Sequence, residues 1–178
     1  EDNNMGFLVH SDGKVVGVRD SFSQIKDEHF YGFGEKFDRL DQKGRSITIY
    51  VADAYAQNYE HRDRVTYIPI PFFISSKGYG FFVNSCCRTW FDMGEENLNH
   101  FTVVSADKKL DYYIIFHPED PLEIIRRYAD IVGKPLLPPR WAFTPWMGRG
   151  TWRISKGVDP TASSRLLMLT MQNLDIPF

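Results

Sequence analysis

Residues 67–85 read YIPIPFFISSKGYGFFVNS, two apolar and aromatic runs flanking Ser76-Lys77-Gly78. That composition is the signature of a β-hairpin. The first run carries Pro69 and Pro71, two residues apart, so both missing N–H groups fall on one side. Such a run suits an edge strand or a bulge and excludes a central strand. Working outward, the theme repeats. FLVHSDGKVVGV, residues 7–18, is two alternating runs hinged on Asp12-Gly13, and RSITIYVADA, residues 45–54, puts Ile47, Ile49 and Val51 on one face. HFTVVSA and LDYYIIFH, beginning at His100 and Leu110, add two more strands. Residues 5 to 117 are thus almost wholly β, at spacings that predict a sandwich.

The periodicity changes at HPEDPLEIIRRYADIVGKPLLPP, residues 117–139. Asp120 is an N-cap, Pro121 fits the first helical position, and Glu123 completes a box-like start. Leu122, Ile125, Tyr128, Ala129 and Val132 form one apolar stripe, and Gly133 ends the helix. KPLLPP is a stiff connector. RWAFTPWM, from Arg140, reads as a compact apolar strand, followed by a Gly/Arg/Trp loop. Asp159-Pro160 opens a second helix to about Asn173, and LDIPF, from Leu174, begins another strand. Strand, loop, helix and strand are the start of a β/α array. Roughly 40 residues cannot close a barrel of about 250.

Bulk composition narrows the function classes. A chain of 178 residues holds one domain or one and a fraction, and 43% apolar with 25% charged residues describes a folded protein. Aromatics at 15% fit either a β-rich core or a carbohydrate cleft. A formal charge of −2 gives no footprint for nucleic acid or an anionic membrane, and no apolar run approaches the roughly 18 residues of a spanning helix. Adjacent Cys86 and Cys87 point to opposite faces of a strand, so the expectation is two buried free thiols. The five histidines show no metal-ligand spacing with one another or the cysteines; no metal or cofactor site is read. The start at Glu1, without Met or an apolar leader, points to an excised piece; location is open, with the cytoplasm favoured.

YGFGEKFDRLDQKG (31–44), then YIPIPFFISSKGYGFFVN, then DPLEIIRRYADIVGKPLLPPRWAFTPWM, in that order and spacing, resemble glycoside hydrolase family 31. The resemblance runs from about Phe30 to the end. It implies a galactose-mutarotase-like β-sandwich over residues 1–117, a helix and Pro-rich connector over 118–139, and the start of a catalytic (β/α)8 barrel over 140–178. The implied parent is a retaining α-glycosidase that hydrolyses terminal α-linked sugars, such as α-glucosides or α-xylosides. Its partners would be an oligosaccharide or α-glycoside and the remainder of the parent chain. Trp141, Phe143, Leu166 and Leu169 would bury against further barrel strands. Left exposed, they predict self-association, a homo-oligomer included.

The resemblance also assigns the site. The family's catalytic pair comes from later barrel strands, and its W-x-D-x-x-E or K-x-D-F-G-E setting does not occur in this sequence. No catalytic residue is therefore expected here. Asp92 in FDMGEE superficially resembles the nucleophile but lies between strands, in turn-like company. Gly32 and Gly34 lack the third glycine and following helix of a dinucleotide loop. Glu35 is a tempting acid, set against the reading that it bonds backbone or a basic neighbour. Asp53 matches an aspartate that binds sugar hydroxyls from a loop over the barrel mouth; the alternative is an Asp capping its own turn. The family's usual Arg before it is Ala52 here. Trp146, Arg149 and Trp152 sit at the C-terminal end of the first barrel strand, where such sites are built. There aromatic faces pack on sugar C–H surfaces and Arg bonds hydroxyls, or else they are a solvated loop with a packed Trp. Relatives carry Arg-Gly-Tyr where this chain has Arg149-Gly150-Thr151-Trp152. The rival reading, a non-catalytic carbohydrate-binding sandwich or an aldose epimerase, accounts for residues 1–117 but not for PLLPPRWAFTPWM.

Overall fold

Asp12 and Gly13 reverse the chain between β1 (Gly6–Val9) and β2 (Val15–Ser23), which pair antiparallel. The computed structural model describes residues 5–52, 66–144 and 159–176, which fall into two units, Glu1–Lys134 and Pro135–Phe178. In the first unit β3 (Phe30–Gly34), β4 (Ser46–Ile49), β5 (Pro69–Ser75) and β6 (Tyr79–Val83) are followed by β7 (Thr89–Asp92), β8 (His100–Ser105) and β9 (Tyr112–Phe116). They form a five-stranded sheet ordered β1-β2-β8-β7-β4 and a four-stranded sheet ordered β3-β5-β6-β9, with every neighbouring pair antiparallel.

The aromatic content is explained by the core between the sheets. Phe30, Phe33, Phe73, Phe81, Phe91 and Phe101 are buried there with Met93, Ile47, Val83 and Val103. Their rings meet largely edge to face, as Phe30 and Phe73 do at 5.4 Å and 89°, a geometry the ring quadrupole favours. Each buried Phe contributes roughly 1.5–3 kcal/mol of transfer free energy.

The outer face of the four-stranded sheet is also apolar, which is why IPFFI does not alternate with polar residues. Phe72, Phe82 and Ile115 are covered there by α1 (Pro121–Val132). Asp120 caps this helix by accepting from the Leu122 N–H at 2.8 Å, and Gly133 ends it at φ 105°. The face it buries differs from the expected stripe. Tyr128 packs on the sheet as expected, but it is joined there by Ile124, whereas Leu122, Ile125 and Val132 are exposed. Gly80 decides this choice: a Cβ there would lie 2.6 Å from Ile124 Cγ2, so only glycine lets the isoleucine seat. The Glu123 side chain does not close a capping box either; it accepts from Arg126 and Arg127 one turn on.

Other expectations are corrected by pairing. β5 is an interior strand, not an edge. Its prolines are accommodated because β6 pairs only with Phe72–Ser75 and β3 bulges between Gly32 and Gly34 opposite Pro69. Val51 is exposed, since β4 ends at Ile49 and the alternation ends with it. Asp92 closes β7 rather than lying between strands. Cys86 and Cys87 are free thiols but not buried: Cys86 is exposed and Cys87 partly so, in a bend between β6 and β7.

In the second unit, Arg140–Phe143 form a 3₁₀ turn where a strand was expected. Ala142 N donates to Pro139 O and Thr144 N to Trp141 O. Among the described residues no strand pairs with this segment, and local bonds take up its backbone groups. Trp141 and Phe143 are 64% and 74% exposed, as expected of them in this chain. α2 (Pro160–Asn173) starts at its Asp159 cap as the sequence indicates. Residues 174–176 do not extend. Asp175 adopts φ 52° and Ile176 N returns to Met171 O at 3.0 Å, a turn that satisfies the helix's last carbonyls.

Candidate functional site

β4 delivers the chain to the expected sugar-binding loop. Ile47 and Ile49 anchor it in the core, and one residue pair beyond the β4–β7 register Tyr50 meets Arg88. The Arg88 guanidinium lies 3.8 Å over the Tyr50 ring and 5.9 Å from Trp90. Val51 then bridges Thr66, and Ala52 N donates to Thr66 O at 3.2 Å. Ala52 and Thr66 are both buried, at 7% and 3% exposure, so residues 52 and 66 form a fixed base on either side of 53–65. Asp53 itself, and Trp146, Arg149 and Trp152, lie outside the described residues. The Arg88–Tyr50 stack was not legible in the sequence, because residues 38 apart are joined only by strand pairing.

The stretch 31–44 is structural. Gly32, Phe33 and Gly34 all have positive φ, at 131°, 67° and 77°. A Cβ on Gly34 would lie 2.1 Å from Ile68 O, so this backbone is pressed against β5 instead of opening toward a phosphate. An open recess of about 420 Å³ is lined by Gly32, Gly34 and the run Lys36 to Leu40. Glu35 N donates to Ile68 O at 2.9 Å, but Glu35 Oε2 is buried with no hydrogen-bond partner among the described residues, contrary to the expected backbone or basic neighbour.

The remaining carboxylates here are engaged. Asp38 pairs with Arg45 at 3.2 Å. Asp41 accepts from Lys43 N at 3.0 Å and Phe30 N at 3.3 Å and meets His29 Nδ1 at 2.7 Å. Burial pushes Asp41 up, but these hydrogen bonds outweigh it and hold the carboxyl below its ordinary value. Asp92 accepts from the N–H groups of Gly94, Glu95 and Glu96, at 3.0, 2.6 and 3.2 Å. It is a turn cap. Glu28, fully buried, accepts from Ser75 Oγ and from Ile25 N at 2.7 Å. Each of these carboxylates is held by the fold's own donors, and none is presented to a substrate. Among the described residues no group of three or more His, Cys, Asp or Glu is placed to hold a metal.

A sandwich with a helix closing its outer sheet face and a core-anchored loop base has clear counterparts among known proteins. Residues 2–92 match the glycosyl hydrolase 31 N-terminal galactose mutarotase-like domain. The chain belongs to glycoside hydrolase family 31. Among its family 31 relatives, the isomaltosyltransferase of Sporosarcina globispora is 35% identical over 84% of this chain and 14% of its own length. Alpha-xylosidase XylQ of Lactiplantibacillus pentosus is 36% identical over 79% of this chain and 18% of its own. The chain therefore spans less than a fifth of either. A cycloalternan-forming enzyme from Listeria monocytogenes, solved in complex with pentasaccharide substrate, superposes with a TM-score of 0.77 at 32% identity. That likeness covers 99% of this chain and 16% of the enzyme.

Proposed function

We propose that this chain is the amino-terminal portion of a retaining α-glycosidase that hydrolyses terminal α-linked sugars, α-glucosides or α-xylosides, from oligosaccharides. The observation that carries the reading is the 36% identity to alpha-xylosidase XylQ over 79% of the chain. In this reading residues 1–117 are the sandwich, 118–139 the helix and connector, and 140–178 the start of a (β/α)8 barrel. The catalytic carboxylates belong to the remainder of the parent chain. There one carboxylate attacks the anomeric carbon while the other protonates the leaving oxygen, and water then discharges the glycosyl-enzyme.

This piece contributes substrate contact. Asp53 accepts hydroxyl hydrogens of the leaving-group sugar, and Trp146, Arg149 and Trp152 contribute to the pocket. The buried Ala52–Thr66 base supports the role of Asp53, because it fixes the residue next to that carboxylate. Exposed Trp141, Phe143, Leu166 and Leu169 are the surface through which the isolated chain self-associates; a monodisperse monomer on size exclusion would remove that part of the reading.

A second reading is glycosyl transfer, favoured by the likeness to the isomaltosyltransferase. A sugar hydroxyl would then replace water in the second step. A free-standing binding sandwich or an epimerase is disfavoured by a likeness that continues through residues 135–178. The test is incubation of the parent enzyme with isomaltose and with p-nitrophenyl α-glucoside and α-xyloside. Free sugar is expected from the parent and none from the 178-residue chain. Longer oligosaccharides formed beside the glucose released as leaving group would favour transfer, glucose alone would favour hydrolysis, and an inert parent would contradict both.

A further inference from the structure

We propose that Cys86 and Cys87 are a vicinal dithiol site for trivalent arsenicals. Both thiols are free, and both reach solvent. They lie in a bend outside β6 and β7, so the alternation that sends neighbouring side chains to opposite faces does not apply to them. Adjacent residues have Cα atoms about 3.8 Å apart, short of the roughly 4.4 Å at which ordinary disulfides begin. Direct S–S closure is therefore strained, and the pair persists as two thiols. A third atom between the sulfurs enlarges the ring and removes that constraint, and thiolates are the ligands soft metal and metalloid centres select.

The bend is held in place before any ligand arrives. Cys87 N donates to Ser85 Oγ at 3.1 Å, Ser85 Oγ donates to Asp107 Oδ2 at 3.3 Å, and Thr89 Oγ1 donates to Cys87 O at 3.2 Å. The backbone that carries Cys87 is thus fixed before binding, which lowers the ordering cost. The pair also abuts Arg88, whose guanidinium covers Tyr50.

The chemistry is condensation without redox. With an organoarsenic(III) oxide, two S–H bonds and the arsenic–oxygen bonds break and two arsenic–sulfur bonds form. The oxide leaves with both protons as water, and arsenic stays trivalent.

The test titrates the reduced chain with phenylarsine oxide and reads intact mass. One arsenical per chain is expected, with loss of one water, resistant to a monothiol wash and removed by a 1,2-dithiol. Cys86→Ser and Cys87→Ser each remove the intramolecular second bond and should weaken binding at least about 100-fold. Both replacements are near-isosteric and lie in a bend where Cys86 is exposed and Cys87 partly so, so the fold is retained and the comparison is direct. Absence of a wild-type adduct, or equal binding by either single variant, would overturn the assignment.

Discussion

The ring of Tyr128 on α1 lies flat against that of Phe72 on β5, with centroids 4.1 Å apart and planes 7° from parallel. Phe82 meets the same tyrosine edge-on at 5.1 Å. One aromatic ring is thus received by both strands of the β5–β6 hairpin. With Ile124 beside it, the helix belongs to the sandwich and is more than a connector.

Gly80→Ala tests that docking. The added methyl would lie 2.6 Å from Ile124 Cγ2 and 2.9 Å from Phe72 Cε2, so α1 must shift or the strand must bend. A loss of about 1–3 kcal/mol is expected in urea unfolding, the range for overpacked cores. Unchanged stability would mean that the helix is not seated on β6.

A second expectation concerns alkaline pH. Burial is the main cause that raises the Tyr79 phenol well above its ordinary value, and the hydrogen bond to Glu28 and the charge of that carboxylate add to it. Tyr112 is raised by burial and then by Asp20, and Tyr128 by burial alone. A pKa raised in the folded state contributes stability that is complete below about pH 10, the unfolded value, and lost as pH climbs toward the folded one. The urea midpoint should therefore fall as pH rises from about 10, and Tyr79→Phe should make that fall shallower. Parallel curves for the two proteins would exclude Tyr79 from the effect.

The sequence made the strong local signals legible. Asp12-Gly13, Ser76-Lys77-Gly78, the Asp120 and Asp159 caps and Gly133 each fix a backbone geometry through their own chemistry, and all stand where expected. It did not reveal β3 or β7. The first is broken by a bulge at Phe33, and the second, Thr-Trp-Phe-Asp, is too short to show a period. Nor could it choose between two apolar faces of α1, because Gly80, more than forty residues upstream of Ile124, makes that choice. Of the proposed sugar-binding residues none falls on the described residues; only the flanking Ala52 and Thr66 do.

For Asp53 the prediction uses the full-length parent. Asp53→Ala should remove a charge-assisted hydrogen bond of roughly 1.5–3 kcal/mol, which corresponds to about a 10- to 150-fold fall in kcat/KM for disaccharides. Aryl glycosides offer no such hydroxyl and should lose much less. Folding should change by only about 0.5 kcal/mol, as for a substitution outside the core. Equal losses on both substrates, or a large drop in Tm, would return Asp53 to a structural role.

The stereochemistry of the parent's reaction tests the account most directly. Two successive displacements at the anomeric carbon must release the sugar with its original configuration. Proton NMR of an α-glucoside or α-xyloside digest should show the α-anomer first, with the β-anomer rising only as mutarotation proceeds. Immediate appearance of the β-anomer would contradict a retaining α-glycosidase.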